Sequence, residues 1–296
     1  MATVNLTMTE TQFNALRKIV YDRSGIHFQE SKKYVLESRL SRRLEELEFN
    51  NFDQYLMFLT AGPYQADEFQ EMFNRITINE TSFFRNEPQL DVFEKQVLPK
   101  MLEARNKTKK LRIWSSASST GEEPYTLAIQ LHRCLGVRLS DWHIEILGTD
   151  ISEKALTVGQ SGRYASYSIR SMNPLILQRY FSQESGFYQL DPTIMSMVRF
   201  ELLNLKDVQS AKRFGVWDVI FCRNVMIYFD DAMKTRCVQM FYDQLADDGT
   251  LFIGHSESLR NIDVPFESVP IPKAFSYIKA DGGPGAKKGA GGSHGN

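Results

Sequence analysis

The chain has 296 residues, 42% of them hydrophobic and 24% charged, with a net charge of −1. That is enough for one large or two modest soluble domains, and the near-zero charge leaves no global field to draw the molecule onto nucleic acid. Cys134, Cys222 and Cys237 are far apart and form no CxxC pair, which excludes a disulfide framework and a zinc knuckle and fits reduced core thiols in a cytoplasmic protein.

The first residues lack a basic region followed by an apolar stretch, so no signal peptide is expected. No apolar run approaches the ~20 residues of a membrane span, so no membrane insertion is expected either. Residues 1–75 read as a helical domain. Thr9-Glu10-Thr11 precedes an amphipathic run with Phe13, Leu16, Ile19 and Val20, and Ser24-Gly25 breaks it. A second helix is expected over about 31–49, with Leu36, Leu40, Leu44 and Leu47 as its buried stripe. Between Lys32 and Arg43 it carries five basic residues against one acidic, Glu37. Such a strip is either a solvated face or a docking strip for an acidic helical partner. Further helices are expected over about 52–59 and 66–75.

Residues 76–88, beginning ITINETSFFR, form a linker. Phe83 and Phe84 either pack a seam between two domains, or the polar residues and the Arg85 guanidinium sit over the mouth of a ligand pocket, where Arg85 would clamp a carboxylate. A helix over about 89–103 and a basic solvated loop at 105–110 follow.

The stretch from Leu111 to Leu127, LRIWSSASSTGEEPYTL, reads as a buried strand, a small-residue turn and a helix that starts at Glu122-Glu123-Pro124. This is the front edge of a nucleotide-binding βαβ unit. Two carboxylates at the turn oppose a phosphate and suit a ligand with an adenosine part and a cation, which describes S-adenosylmethionine. Residues 143–150, HIEILGTD, form the second strand and end in Asp150, placed to accept from both ribose hydroxyls; Ser152 is free to cap the next helix. Residues 165–198 fit no simple alternation and read as a small inserted subdomain, with a helix at 174–181 and short strands at 187–190 and 195–199. A third core strand is expected at 199–203, followed by Asn204, which is either a turn residue or an adenine contact. The run WDVIFCRNVMIYF, 217–229, is the fourth strand with its terminal loop, and it places Arg223, Asn224 and Tyr228 at the ligand end of the sheet. A helix to about 245, a strand at 250–254 and a hairpin over 266–279 complete the fold. The segment 281–296, with seven glycines, reads as a disordered tail. The histidines show no metal-ligand spacing and no nucleophile motif is present, so no metal is expected.

With NETSFFR, SSTGEEPYTLA, LGTDIS, Asn204-Leu205 and CRNVMIYF in this order, residues 8 to 280 resemble the CheR family, the chemotaxis receptor glutamate O-methyltransferases. The resemblance implies an α/β fold: a Rossmann-like class I methyltransferase domain over 89–280 with an inserted β-subdomain at 165–198, preceded by an all-helical domain. It implies S-adenosylmethionine as cofactor, S-adenosylhomocysteine as product, and glutamate carboxylates on the cytoplasmic helical domain of chemoreceptors as acceptors. Arg85 would pair with the cofactor's carboxylate beside Asn79 and Thr81. Glu123 would face its ammonium group, Asp150 its ribose, and Asn204 and Leu205 its adenine. Arg223, Asn224 and Tyr228 would sit between cofactor and substrate, with Arg85 and Tyr228 the catalytic pair. Arg39, Arg42 and Arg43 would dock the receptor helices, and the protein would be a monomer. Two departures stand out: Ala117, Ser119 and Gly121 replace the usual GxGxG glycines, and the insert, with Gly186 alone, looks too short to tether a receptor's terminal pentapeptide.

A carboxylate acceptor is already ionised at neutral pH, with an ordinary pKa near ~4.3, so the reaction needs no general base. Orientation of the two reactants would supply most of the rate. The alternative is a non-catalytic module that binds S-adenosylmethionine without turnover. A nucleic-acid methyltransferase would want a basic face and an NPPY-type loop where Asn224-Val225-Met226-Ile227 stands. A nicotinamide-dependent oxidoreductase would want a glycine turn free of Glu122-Glu123.

Overall fold

The computed structural model describes residues 6–62 and 65–280; the glycine-rich segment 281–296, expected to be disordered, lies outside the described residues. The first domain holds α1 (Glu10–Ser24), α2 (Lys33–Glu46), α3 (Phe52–Ala61) and α4 (Gln65–Ile76). Thr9 and Gln12 cap α1 reciprocally, and Gly25 ends it in the left-handed conformation at φ 76°. Phe13, Leu16, Val20, Leu36, Leu40 and Leu44 pack with Tyr55, Leu59 and Met72 into one core. Leu47 is only half-buried, because α2 ends at Glu46 and leaves Leu47 as its C-cap.

The basic strip on α2 does not stay together. Arg43 turns inward: Nη2 lies 2.6 Å from Glu68 Oε2, and Glu68 also accepts from the Tyr55 hydroxyl at 2.8 Å. The guanidinium, one of the three expected to dock receptor helices, is therefore a structural tie between α2, α3 and α4. Arg39 donates to the Ile76 carbonyl at the end of α4, and Arg42 is the member of the trio left pointing outward, beside Glu46 at 3.6 Å. Arg43→Ala is expected to lower stability by about 1.5–3 kcal/mol, the worth of hydrogen bonds to a charged group, with no change in acceptor KM. Thermal unfolding against methyl-transfer kinetics separates the two effects.

Helices α5 (Glu87–Val92) and α6 (Leu98–Ala104) are one continuous helix widened by a π turn at Phe93–Val97. Pro99 explains the widening: it offers no N–H and crowds the preceding turn, so Leu98 N–H bonds back to Phe93.

The second domain runs β1 (Lys110–Ser115), α7 (Glu122–Leu135), β2 (His143–Asp150) and α8 (Glu153–Ser161). The insert follows as β3 (Arg163–Tyr164), α9 (Pro174–Tyr180), β4 (Phe181–Glu184), β5 (Phe187–Leu190) and α10 (Pro192–Met195). The chain then returns through β6 (Val198–Leu202), α11 (Val208–Lys212), β7 (Trp217–Cys222), α12 (Asp231–Gln244), β8 (Leu245–Ile253), β9 (Phe266–Ser268) and β10 (Ser276–Lys279). The short strand expected at 195–199 does not form as a separate element: Met195 ends α10, 196–197 turn, and 198–199 open β6; α10 starts here because Asp191 accepts from Thr193 N–H and Pro192 takes the first turn. Strand β8 starts five residues earlier than expected, at Leu245 rather than Thr250, and its pairing with β7 shifts register between Trp217 and Val219.

The main sheet has the order β6-β2-β1-β7-β8-β10-β9, parallel through β8 and closed by two antiparallel strands; β3, β5 and β4 make a separate small sheet. The chain moves outward from β1 to β2 and β6, then crosses back to β7. The strand order therefore reverses between β1 and β7, and ligands in such sheets sit outside the carboxyl ends of the strands at that reversal. Both faces are filled. Ile113, Phe221 and Phe252 pack under α5 to α7, with Phe93 edge-on to both rings, while Trp114, Trp217 and Phe241 pack on the opposite face.

Candidate active site

A cavity of about 600 Å³ opens at the β1/β7 reversal, inside the ~300–1,000 Å³ range of small-molecule sites. It is built from the turn after β1, the ends of β2, β6 and β7, the linker 76–85, and residues between 24 and 39 of the helical domain. Asn79, Thr81, Arg85, Glu123, Asp150, Asn204, Leu205, Arg223, Asn224 and Tyr228 all line it, as does Arg39. Arg42 and Arg43 do not.

The turn after β1 is shaped by Asp150. Its carboxylate accepts from Ser119 N–H and from Ser152 N–H, each at 2.9 Å. Ser119 adopts a left-handed φ of 49° where a glycine would be relaxed, so the missing glycine of the motif is replaced by a side-chain anchor. Ser152 caps α8, as expected. Burial pushes the Asp150 carboxyl above its ordinary range, and the Ser152 and Ser119 amides oppose that rise. Gly121, at φ 91°, starts α7, and a side chain there would strike the Phe200 ring.

Only one of the two turn glutamates faces the cavity. Glu122 is buried behind it, where it accepts from Thr120 and Ser168 hydroxyls at 2.6 and 2.8 Å. Desolvation raises its pKa. Glu123 is the cavity carboxylate, and both its oxygens already have partners: Ser115 Oγ at 2.7 Å and Arg223 Nη1 at 2.9 Å. Arg223 Nη2 donates to the Arg85 carbonyl at 2.6 Å. Arg223 is thus sunk between cavity wall and linker, rather than presented between two ligands.

The linker is anchored in the sheet domain. Phe83 is fully buried edge-on to Tyr164 and Phe181, not at the domain seam, and Phe83 and Phe84 N–H donate to Ser168 O and Thr126 Oγ1. That leaves Arg85 half-buried at the cavity wall, with Nη1 on the Glu80 carbonyl at 2.8 Å. Tyr228 is half-buried; burial raises its hydroxyl pKa and the Arg39 and Arg85 charges lower it.

Asn204 does something sequence reasoning missed. Its amide donates to Arg23 O at 2.6 Å and accepts from Lys206 N–H at 3.0 Å, while Lys206 Nζ donates to Tyr21 O and Asp22 O. The loop after β6 thereby caps the C-terminus of α1 across the domain boundary. His27 also lines the cavity, with no local signal to mark it, as do Lys32 and Tyr34 from the start of the basic strip. A further bridge pairs Ile26 with Phe229.

The donor set fits S-adenosylmethionine. Carboxylates at Glu123 and Asp150 suit an ammonium and a ribose diol, and the guanidinium of Arg85 suits a carboxylate. Ser118 Oγ and Arg223 Nε, on two lining residues, are buried polar atoms without a partner among the described residues.

Comparison with known proteins agrees with this division of the chain. Residues 11–77 match the family described as "CheR methyltransferase, all-alpha domain", and residues 79–275 match "CheR methyltransferase, SAM binding domain". The chain is 36% identical over 286 residues to chemotaxis protein methyltransferase 2 of Vibrio cholerae, covering 96% of this chain and 98% of that one. It is 36% identical to the chemotaxis protein methyltransferase of Borreliella burgdorferi, over 87% of this chain and 91% of the relative. It is 34% identical to that of Escherichia coli, over 89% and 90%. With both of its domains matched in order and the cofactor cavity lying between them, the chain belongs to the CheR methyltransferase family and is an S-adenosylmethionine-dependent enzyme.

Proposed function

We propose that the protein transfers a methyl group from S-adenosylmethionine to glutamate carboxylates of chemoreceptors, giving glutamyl methyl esters. The observation that carries this reading is the cavity itself: the carboxylates of Glu123 and Asp150 and the guanidinium of Arg85 line one space where the strand order reverses. The bound cofactor supplies a methyl on a sulfonium, open to in-line attack by an ionised carboxylate. Asp150 holds the ribose, Glu123 accepts from the ammonium, and Arg85 pairs with the cofactor carboxylate beside Asn79 and Thr81. Leu205 packs against the adenine, while Asn204 serves mainly as the cap on α1.

Tyr228 closes the acceptor side as a neutral hydroxyl donor: a phenol is protonated at neutral pH, and burial raises its pKa further. Arg39, on the cavity wall beside the Ile76 carbonyl, and the outward-pointing Arg42 are the members of the basic strip placed to meet an acidic acceptor helix. None of the described helices is long and apolar enough to cross a membrane.

The test is transfer of a labelled methyl to receptor-bearing membranes, with base-labile label on glutamate as the expected result. Binding of S-adenosylmethionine without transfer would favour the non-catalytic module instead. Arg85→Ala is expected to lose S-adenosylmethionine binding; normal affinity in that variant would remove Arg85 from the site.

A further inference from the structure

Gly254 follows the last residue of β8 and opens a turn that brings Glu257 back against the end of β7. The Glu257 carboxylate accepts three backbone N–H groups: Oε2 from Gly254 at 2.6 Å and from Asn224 at 3.0 Å, Oε1 from Val225 at 3.1 Å. Asn224 sits at a left-handed φ of 59°, a conformation that a non-glycine residue keeps only when its surroundings impose it. A side chain at Gly254 would bring its Cβ within 2.6 Å of Glu257 Oε2 and 2.9 Å of Asn224 N. The glycine is therefore what lets the carboxylate reach the strained residue.

From Val225 the chain enters a short 3₁₀ turn, Met226–Tyr228, in which Tyr228 N–H donates to Val225 O at 3.0 Å. Tyr228 O accepts from His27 N–H at 2.8 Å. The segment 224–228 is thus held from two sides, by Glu257 in the sheet domain and by His27 in the helical domain. Glu257 is not among the cavity-lining residues, but Asn224, Val225 and Tyr228 are.

We propose that Glu257 is a positioning residue for methyl transfer, its carboxylate fixing Asn224 and Val225 so that Tyr228 is held at the acceptor side of the cavity. The proposal rests on the methyltransferase reading above. It predicts a kinetic signature, because the groups assigned to the cofactor, Asp150, Glu123 and Arg85, make no hydrogen bond to Glu257. An ionised carboxylate is an acceptor at both oxygens, whereas a glutamine presents N–H to at least one of the three backbone donors. Glu257→Gln is thus a nearly isosteric change that opens the clamp.

The experiment uses the full chain, wild type, Glu257→Gln and Gly254→Ala. It reads hydrogen exchange of segment 222–228, affinity for S-adenosylhomocysteine by calorimetry, and labelled-methyl transfer at saturating S-adenosylmethionine. Both variants are expected to exchange about tenfold faster in that segment and to transfer about 100-fold more slowly, while product affinity stays within about threefold. Unchanged exchange in Glu257→Gln overturns the clamp. Faster exchange with an unchanged transfer rate, or a rate loss matched by an equal loss of product affinity, overturns the positioning role. Absence of transfer by the wild type defeats the proposed function instead, and the exchange result still decides whether Glu257 holds the segment.

Discussion

Replacing Asp150 with alanine is expected to lower affinity for S-adenosylhomocysteine at least about 100-fold, as read by calorimetry. Two effects combine. The ribose loses an acceptor for its hydroxyls, and each hydrogen bond to a charged group is worth about 1.5–3 kcal/mol. The turn after β1 also loses its anchor, because Asp150 holds the amides of Ser119 and Ser152 at 2.9 Å and so fixes the left-handed Ser119. Relaxation of that residue moves the backbone that must approach the adenosine. Asp150→Asn keeps an oxygen for one amide and is expected to lose about tenfold, a little over 1 kcal/mol. Equal affinity in wild type and Asp150→Ala would mean that the ribose lies elsewhere and that the turn held by Asp150 does not shape the cofactor site.

The second large effect is expected from Arg223→Met. Its side chain is 4% exposed and that of its partner Glu123 is 12% exposed, at 2.9 Å. Removing one member of a buried ion pair leaves the other uncompensated, a loss of about 3–5 kcal/mol. For a protein of this size that corresponds to a fall of very roughly 6–20 °C in the thermal midpoint. The linker loses its tie as well, since Arg223 also donates to the Arg85 carbonyl. Methyl transfer is therefore expected to fall along with stability. Adding Glu123→Gln to Arg223→Met should recover part of the stability, because no unpaired charge remains, and none of the transfer, because both the linker tie and the cavity carboxylate are gone. A wild-type midpoint in Arg223→Met would show that the pair is not what joins linker to sheet.

Much of the architecture was legible from local signals. Strands β2 and β5 fall on the residues expected for them, and in β2 an apolar run ending in Asp150 needs no distant information to be read as a buried strand. Misses came where two local readings competed: Asp191-Pro192 served as a helix start rather than a turn between strands, and the Asp247-Asp248-Gly249 turn lies within strand β8. Asp150, Glu123 and Arg85 were also legible, since motif order places them at a strand end, in the first turn of α7 and in the linker.

The partners of those side chains were not. Periodicity, capping and turn chemistry act within about four residues along the chain, so they say which face is buried and where a helix stops. Arg43 looked like surface charge until α4 brought Glu68 to it from 25 positions away. Asn204, read as a turn residue or an adenine contact, also donates to the Arg23 carbonyl across 181 positions, and Arg223, read as lying between cofactor and substrate, pairs with Glu123 across 100. The sequence by itself determined the two-domain plan, the cofactor class and the set of strand ends that make the cavity. Only the tertiary structure decided which charges point into that cavity and which are spent holding it together, because a buried charge goes wherever packing supplies an opposite charge or a carbonyl, and that supply comes from elements remote in the chain.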